Sequence, residues 1–258
     1  MNFRCVIMLT SLGLLGACNS TGVGNPGVEE LSLAITVDDQ DDDGDNQDPD
    51  AGEAVASNSL PKKTVRHAIL VLRELRWLPC DADQQPRITK GPFVVDLVAR
   101  SSTPAIPPVR DLPTGGFCGI DAPLTAASVP PALLGRSLFF DGTRADGALF
   151  ILYADMKATL RLRAKREQRW DDTLDKHTLL WAFRPRRWLQ RRELDMADSI
   201  AWDGQMHAVV IDVDRHPLLY TAIRKRLAGE SALYVDRESN GVLDQDDLEV
   251  GLGSDEAD

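Results

Sequence analysis

The sequence predicts a mainly β protein, an antiparallel β-sandwich with a C-terminal helix and an acidic loop. Three observations carry that expectation. Short runs of alternating apolar and polar residues recur along the chain, clusters of Gly, Pro and Asp separate them, and only one segment shows a clear helical period. Alternation with a period of two turns one strand face to a core and the other to water, as packed antiparallel sheets require.

The first strand is read at Leu31, Leu33, Ile35 and Val37, which alternate with Ser32, Ala34 and Thr36. The next tract, Asp38 to Ser59, holds too few apolar residues to offset the entropy of ordering, and is expected to be a mobile, disordered acidic insertion. Val65 to Leu78 is rich in branched apolar residues and ends at Pro79-Cys80; Phe93, Val95 and Leu97 make a shorter run after Gly91-Pro92. Four prolines between Ser101 and Pro113 mark an irregular connection. Leu138 to Asp141 and Ala148 to Tyr153 flank a Gly142 to Gly147 turn and read as a hairpin. Met156, Ala158, Leu160, Leu162 and Ala164 alternate with Lys157, Thr159, Arg161, Arg163 and Lys165, so one face is core and the other is largely cationic. Leu179 to Phe183 and Ala208 to Ile211 complete the strands. The helix is expected over 217–227, with Pro217 at its start, Leu219, Ile223 and Leu227 on one face, and Gly229 to end it. A weaker helical turn is read from Arg186 to Leu194. One β domain over 31–229 and an acidic tail over 230–258 follow from this reading.

The N-terminus predicts export. Arg4 precedes an apolar stretch, Val6 to Leu15, about half the roughly 20 residues that a membrane-spanning helix needs. Leu15-Gly16-Ala17-Cys18 then resembles the lipobox of bacterial lipoproteins, which implies that residues 1–17 are a signal peptide and that Cys18 is lipidated. An ordinary secreted protein is the alternative. Residues 18–30, rich in small and breaker residues, read as a flexible tether. By the same resemblance, Asn19 rather than Asp after the cysteine favours the outer membrane, on its periplasmic face or at the cell surface.

Formal net charge is −11, which excludes a generally basic nucleic-acid-binding surface. The charge is uneven. Asp38 to Glu53 has nine carboxylates and no base, whereas Lys157 to Arg192 has twelve Lys or Arg against four acids. The cations Lys157, Arg161, Arg163 and Lys165 are read either as a solvated strand face or as a patch for an anionic lipid or glycan. With Cys5 in the signal peptide and Cys18 lipidated, Cys80 and Cys118 are left to form a disulfide in an oxidising compartment, two free thiols being the alternative and a metal pair, without C-x-x-C spacing, a distant third.

The order of lipobox, first strand, Val65 to Trp77, Phe93-Val94-Val95-Asp96-Leu97, Asp111-Leu112-Pro113-Thr114-Gly115-Gly116-Phe117 and the Leu179 to Phe183 strand resembles an uncharacterised family of secreted bacterial lipoproteins with a transthyretin-like or carboxypeptidase-regulatory-like β-sandwich. The resemblance covers roughly Leu31 to Asp212 with gaps. It implies a fold and carries over no catalytic residue.

No local motif for catalysis is present: no G-x-S-x-G, no H-E-x-x-H, no phosphate-binding loop and no dinucleotide fingerprint. His67, His177, His207 and His216 are dispersed. His207, Asp212, Asp214 and His216 are the nearest approach to a zinc set, but on a strand His207 would face away from the rest. The sequence therefore favours a lipid-anchored envelope protein with a non-catalytic binding or structural role, and leaves as the alternative a hydrolase or metal-dependent enzyme whose site converges only in three dimensions.

One loop has metal-binding spacing. Asp236, Glu238, Asn240, Asp244 and Asp247 occupy the oxygen-bearing positions of the twelve-residue EF-hand loop, with Gly241 at the sharp turn and the Val242 carbonyl at the backbone position. Calcium is the implied ion and a structural role the expected one. Glu at the third position and the short Asp247 at the last depart from the pattern, and a disordered acidic tail is the alternative. The run from Asp41 to Asn46 is a poorer candidate of the same kind.

Replacing Cys18 by Ala should abolish acylation and release the protein from the membrane fraction. Mass spectrometry of the mature N-terminus checks this; an unmodified Cys18, or a chain still starting at Met1, would contradict it.

Overall fold

The computed structural model describes residues 30–38, 60, 64–110, 117–128, 133–168, 177–202, 206–238, 240–244 and 246–254. The expected signal peptide, Cys18, the tether up to residue 29, and the acidic insertion beyond Asp38 lie outside these residues.

The fold is mainly β. The strands are β1 (Glu30–Val37), β2 (Val65–Pro79), β3 (Arg87–Asp96), β4 (Ser101–Thr103), β5 (Val109–Arg110), β6 (Phe117–Pro123) and β7 (Leu138–Thr143). They continue with β8 (Leu149–Ala154), β9 (Thr159–Gln168), β10 (His177–Phe183), β11 (Ile200–Trp202), β12 (Met206–Ile211), β13 (Ser231–Asp236) and β14 (Leu248–Ser254). Among the described residues, helices α1 (Arg191–Asp195) and α2 (Pro217–Gly229) interrupt the series, and a 3-10 turn spans Pro185–Arg187.

Strand β2 organises the sheet. Its residues Ile69 to Trp77 pair with β3, Val65 to Leu70 with β7, and Arg76 to Pro79 with β6. Because β3 overlaps both of the other pairings, β7 and β6 must share the opposite edge of β2, one after the other. Two arms of the sheet leave that edge, β7-β8-β12-β11 and β6-β9-β14-β13-β10-β1-β5. They curl around one core in which Leu70, Phe140 and Phe150 meet Leu162, Trp181 and Leu233.

A bulge sits at the junction. The register of β2 against β3 shifts between Leu72 and Glu74, and the buried set changes from Ala68, Leu70 and Leu72 to Leu75 and Trp77. The extra residue lies on β3: two steps along β2, Leu72 to Glu74, match three along β3, Phe93 to Lys90, so the irregularity falls at Gly91-Pro92.

Most pairings are antiparallel, and the hairpin of β7 and β8 forms as the sequence predicts. The expectation of purely antiparallel pairing is corrected at two places: β1 runs parallel to β10, and β12 parallel to β8. Each parallel pair needs a long crossover, which the sequence supplies between residues 37 and 177 and between 154 and 206.

The chain after residue 230 also differs from an acidic tail. Ser231 to Asp236 is a strand with Ala232 and Leu233 buried, and β14 inserts between it and β9. Two glycines of β14 serve close packing. A side-chain carbon at Gly251 would press on the Arg163 carbonyl, and one at Gly253 on the Ala228 carbonyl.

Helix α2 runs two residues further than predicted and buries Leu219, Ile223 and Leu227 in the core. An aromatic chain ties the arms together. Trp181 stacks on Phe183 at 4.8 Å, Trp188 lies 6.4 Å from Phe183 and 5.4 Å from Phe140, and Phe140 lies 5.3 Å from Phe150. Such pairs add to the burial of large side chains by about 0.5–1.5 kcal/mol each.

Cys80 and Cys118 form the expected disulfide, joining the end of β2 to the start of β6 across 38 residues of sequence. By loop entropy, replacing both cysteines with Ser should cost roughly 3–4 kcal/mol. Urea unfolding of the two proteins measures the difference. Two reactive thiols in the denatured, unreduced wild type would refute the pairing.

Candidate functional site

Among the described residues, exposure and chemistry combine at the β13–β14 loop, the outer face of β9, and a cleft between α1 and α2.

The loop begins at Asp236, the last residue of β13, which is only 2% exposed. Its carboxylate accepts the backbone N–H of Asn240 at 3.3 Å and of Gly241 at 2.8 Å, and Gly241 makes the turn with a φ of +74°. That value lies where a side chain is costly, which explains the glycine. The Asn240 side-chain oxygen accepts the N–H of Val242, Asp244 accepts that of Asp246, and Asp247 accepts those of Arg237 and Asp244. Five of the predicted ligands, Asp236, Asn240, Val242, Asp244 and Asp247, thus belong to one hydrogen-bonded turn, and Glu238 joins it by accepting the Asn240 side-chain amide. Among the described residues, no three His, Cys, Asp or Glu side chains converge as a metal-holding group.

The loop is also packed. Leu243 lies against Leu180, Ala182, Ala232 and Tyr234 on the outer side of β10 and β13. Burial pushes the Tyr234 phenol up to about 12, with the Asp38 and Glu249 carboxylates adding to the shift. Nearby, Arg184 pairs at 2.6 Å with Asp38, which is almost wholly buried.

On β9 the predicted cations meet acids from neighbouring strands. Arg163 donates to Asp121 of β6 at 2.6 Å, and Lys165 pairs with Glu249 of β14, which also accepts the Tyr234 hydroxyl. Arg161 also has an interaction partner, while Lys157 is exposed before the strand. The sequence row of cations is therefore a partly neutralised cross-strand ladder. Asp121 and Glu249 were invisible in it because each lies on a different segment, brought alongside only by the sheet.

The cleft has a volume of about 410 Å³ and is lined by Glu193, Met196, Arg215, His216, Leu218 and Leu219, among others. Met196 is 75% and Leu218 85% exposed. Glu193 grips Arg226 through two contacts, at 2.6 and 2.8 Å, and also accepts the N–H of Gln190 at the start of α1. The Arg226 guanidinium holds the Glu193 carboxyl below its ordinary range. A carboxylate so committed is poorly placed to take a substrate proton.

The histidines do not gather. His67 pairs with Asp141 at 2.8 Å and stacks on Phe139, His207 is exposed on β12, and His216 precedes α2. Asp212 accepts the N–H groups of Asp214 and Arg215 and binds the Arg215 side chain, so it shapes the turn into α2. The set His207, Asp212, Asp214 and His216 is not brought together as a metal site among the described residues.

Among the described residues no helix is long and apolar enough to cross a membrane. The chain matches no protein-family model, no curated protein and no solved structure.

The Glu193–Arg226 pair joins α1 to α2. Because the folded-state pKa of Glu193 is depressed, its contribution is present above the ordinary carboxylate range and is lost as pH falls through the folded value. Glu193→Gln should lower stability at neutral pH by roughly 1–3 kcal/mol and flatten the acid limb of the stability profile. Urea titrations between neutral and acid pH check both effects.

Proposed function

We propose that this chain is a lipid-anchored protein of the bacterial cell envelope, held at the outer membrane through Cys18, with a binding or structural role rather than a catalytic one. The observation that carries this reading is the Cys80–Cys118 disulfide, taken with the lipobox-like N-terminus. Disulfides persist where thiols are not kept reduced, and a lipobox delivers a chain to such a compartment. The resemblance to transthyretin-like lipoproteins belongs to the same reading, supported by the β-rich fold and by the two arms that enclose one core. The competing reading, a hydrolase, draws on His216 and Glu193 lining one cleft, and is weakened by the commitment of Glu193 to Arg226.

Calcium is the proposed stabilising ion of the β13–β14 loop, with Asp236, Glu238, Asn240, Asp244 and Asp247 as side-chain ligands and Val242 offering its carbonyl. The inward-turned amides support the fit. A carboxylate oxygen that accepts one N–H keeps a further lone pair for a hard cation. Binding has to draw the remaining carboxylates together, and ordering the loop in this way would hold Leu243 against the sheet.

Affinity on the order of 10⁻⁴–10⁻³ M is expected, as for extracellular calcium modules. At ten times the dissociation constant the protein should gain about 1.4 kcal/mol, visible as a rise in melting temperature. Asp236 holds the turn from a buried position, so the informative variant is Glu238→Gln with Asp244→Asn at exposed or half-buried positions. It should fold, and lose both the calorimetric heat and the thermal shift. No heat and no shift in the wild type would remove the proposal.

The anionic lipid or glycan partner is tested at the β9 ladder. The Arg161/Arg163/Lys165→Ala variant should bind anionic vesicles more weakly than the parent at low salt, since long-range attraction survives there. Equal cosedimentation of the two proteins would leave the ladder a structural feature alone.

A further inference from the structure

We draw no further inference here: the strongest candidate, the apolar-lined cleft between α1 and the start of α2 with Met196 and Leu218 exposed at its rim, carries nothing, because nothing in the structure shows what covers it.

Discussion

Everything in this molecule depends on one edge of β2 serving two strands in succession. A strand edge offers one line of backbone donors and acceptors, and β7 takes its first half while β6 takes its end. Two arms starting from the same line at different heights diverge as each acquires its own twist, and the space between them becomes the core. Large aromatics fill it. Trp188, next to a 3-10 turn, touches aromatic rings from both arms, so the irregular segment after β10 closes what β2 opens. The indole N–H groups of Trp181 and Trp188 are buried in this core, without a hydrogen-bond partner among the described residues.

The outer surface follows a different rule. Where two strands meet, opposite charges stand side by side: Arg163 of β9 by Asp121 of β6, and Lys165 of β9 by Glu249 of β14. Exposed pairs of this sort contribute little to stability. Their effect is on specificity, because a strand displaced by one position would turn these side chains inward. Arg184 and Asp38 are a separate case. The Asp38 side chain is almost out of water, so losing the arginine costs more than losing one partner of an exposed pair.

Alternation made much of this fold legible. Leu31 to Val37, Leu138 to Asp141 and Leu160 to Ala164 read as strands from their local pattern, and β7 runs two residues further, into the expected turn. A change of parity in the apolar residues of β2, from Leu72 to Leu75, was written there too, although only the pairing shows the register shift that β3 makes beside it. What composition hid was the C-terminal pair. Acidic residues surround Ala232 to Val235, and the glycines of β14 look like breaks until the Arg163 and Ala228 carbonyls are seen against them. The parallel pairings were hidden for another reason: strand direction depends on where a crossover lands, and no local period records it. Of the candidate sites, the turn at Gly241 was legible from spacing, whereas the acids opposite Arg163 and Lys165 and the cleft beside α2 arise only from tertiary contact.

Strand β1 enters the sheet beside β5 at Glu30 and runs parallel to β10 through seven registered pairs, from Leu31 to Val37. A pull on the N-terminus along the strand axis therefore loads that ladder in shear, and the rungs resist together instead of unzipping one at a time. A load applied at the N-terminal end of β1 is thus shared across the whole length of the strand and not concentrated on its first rung.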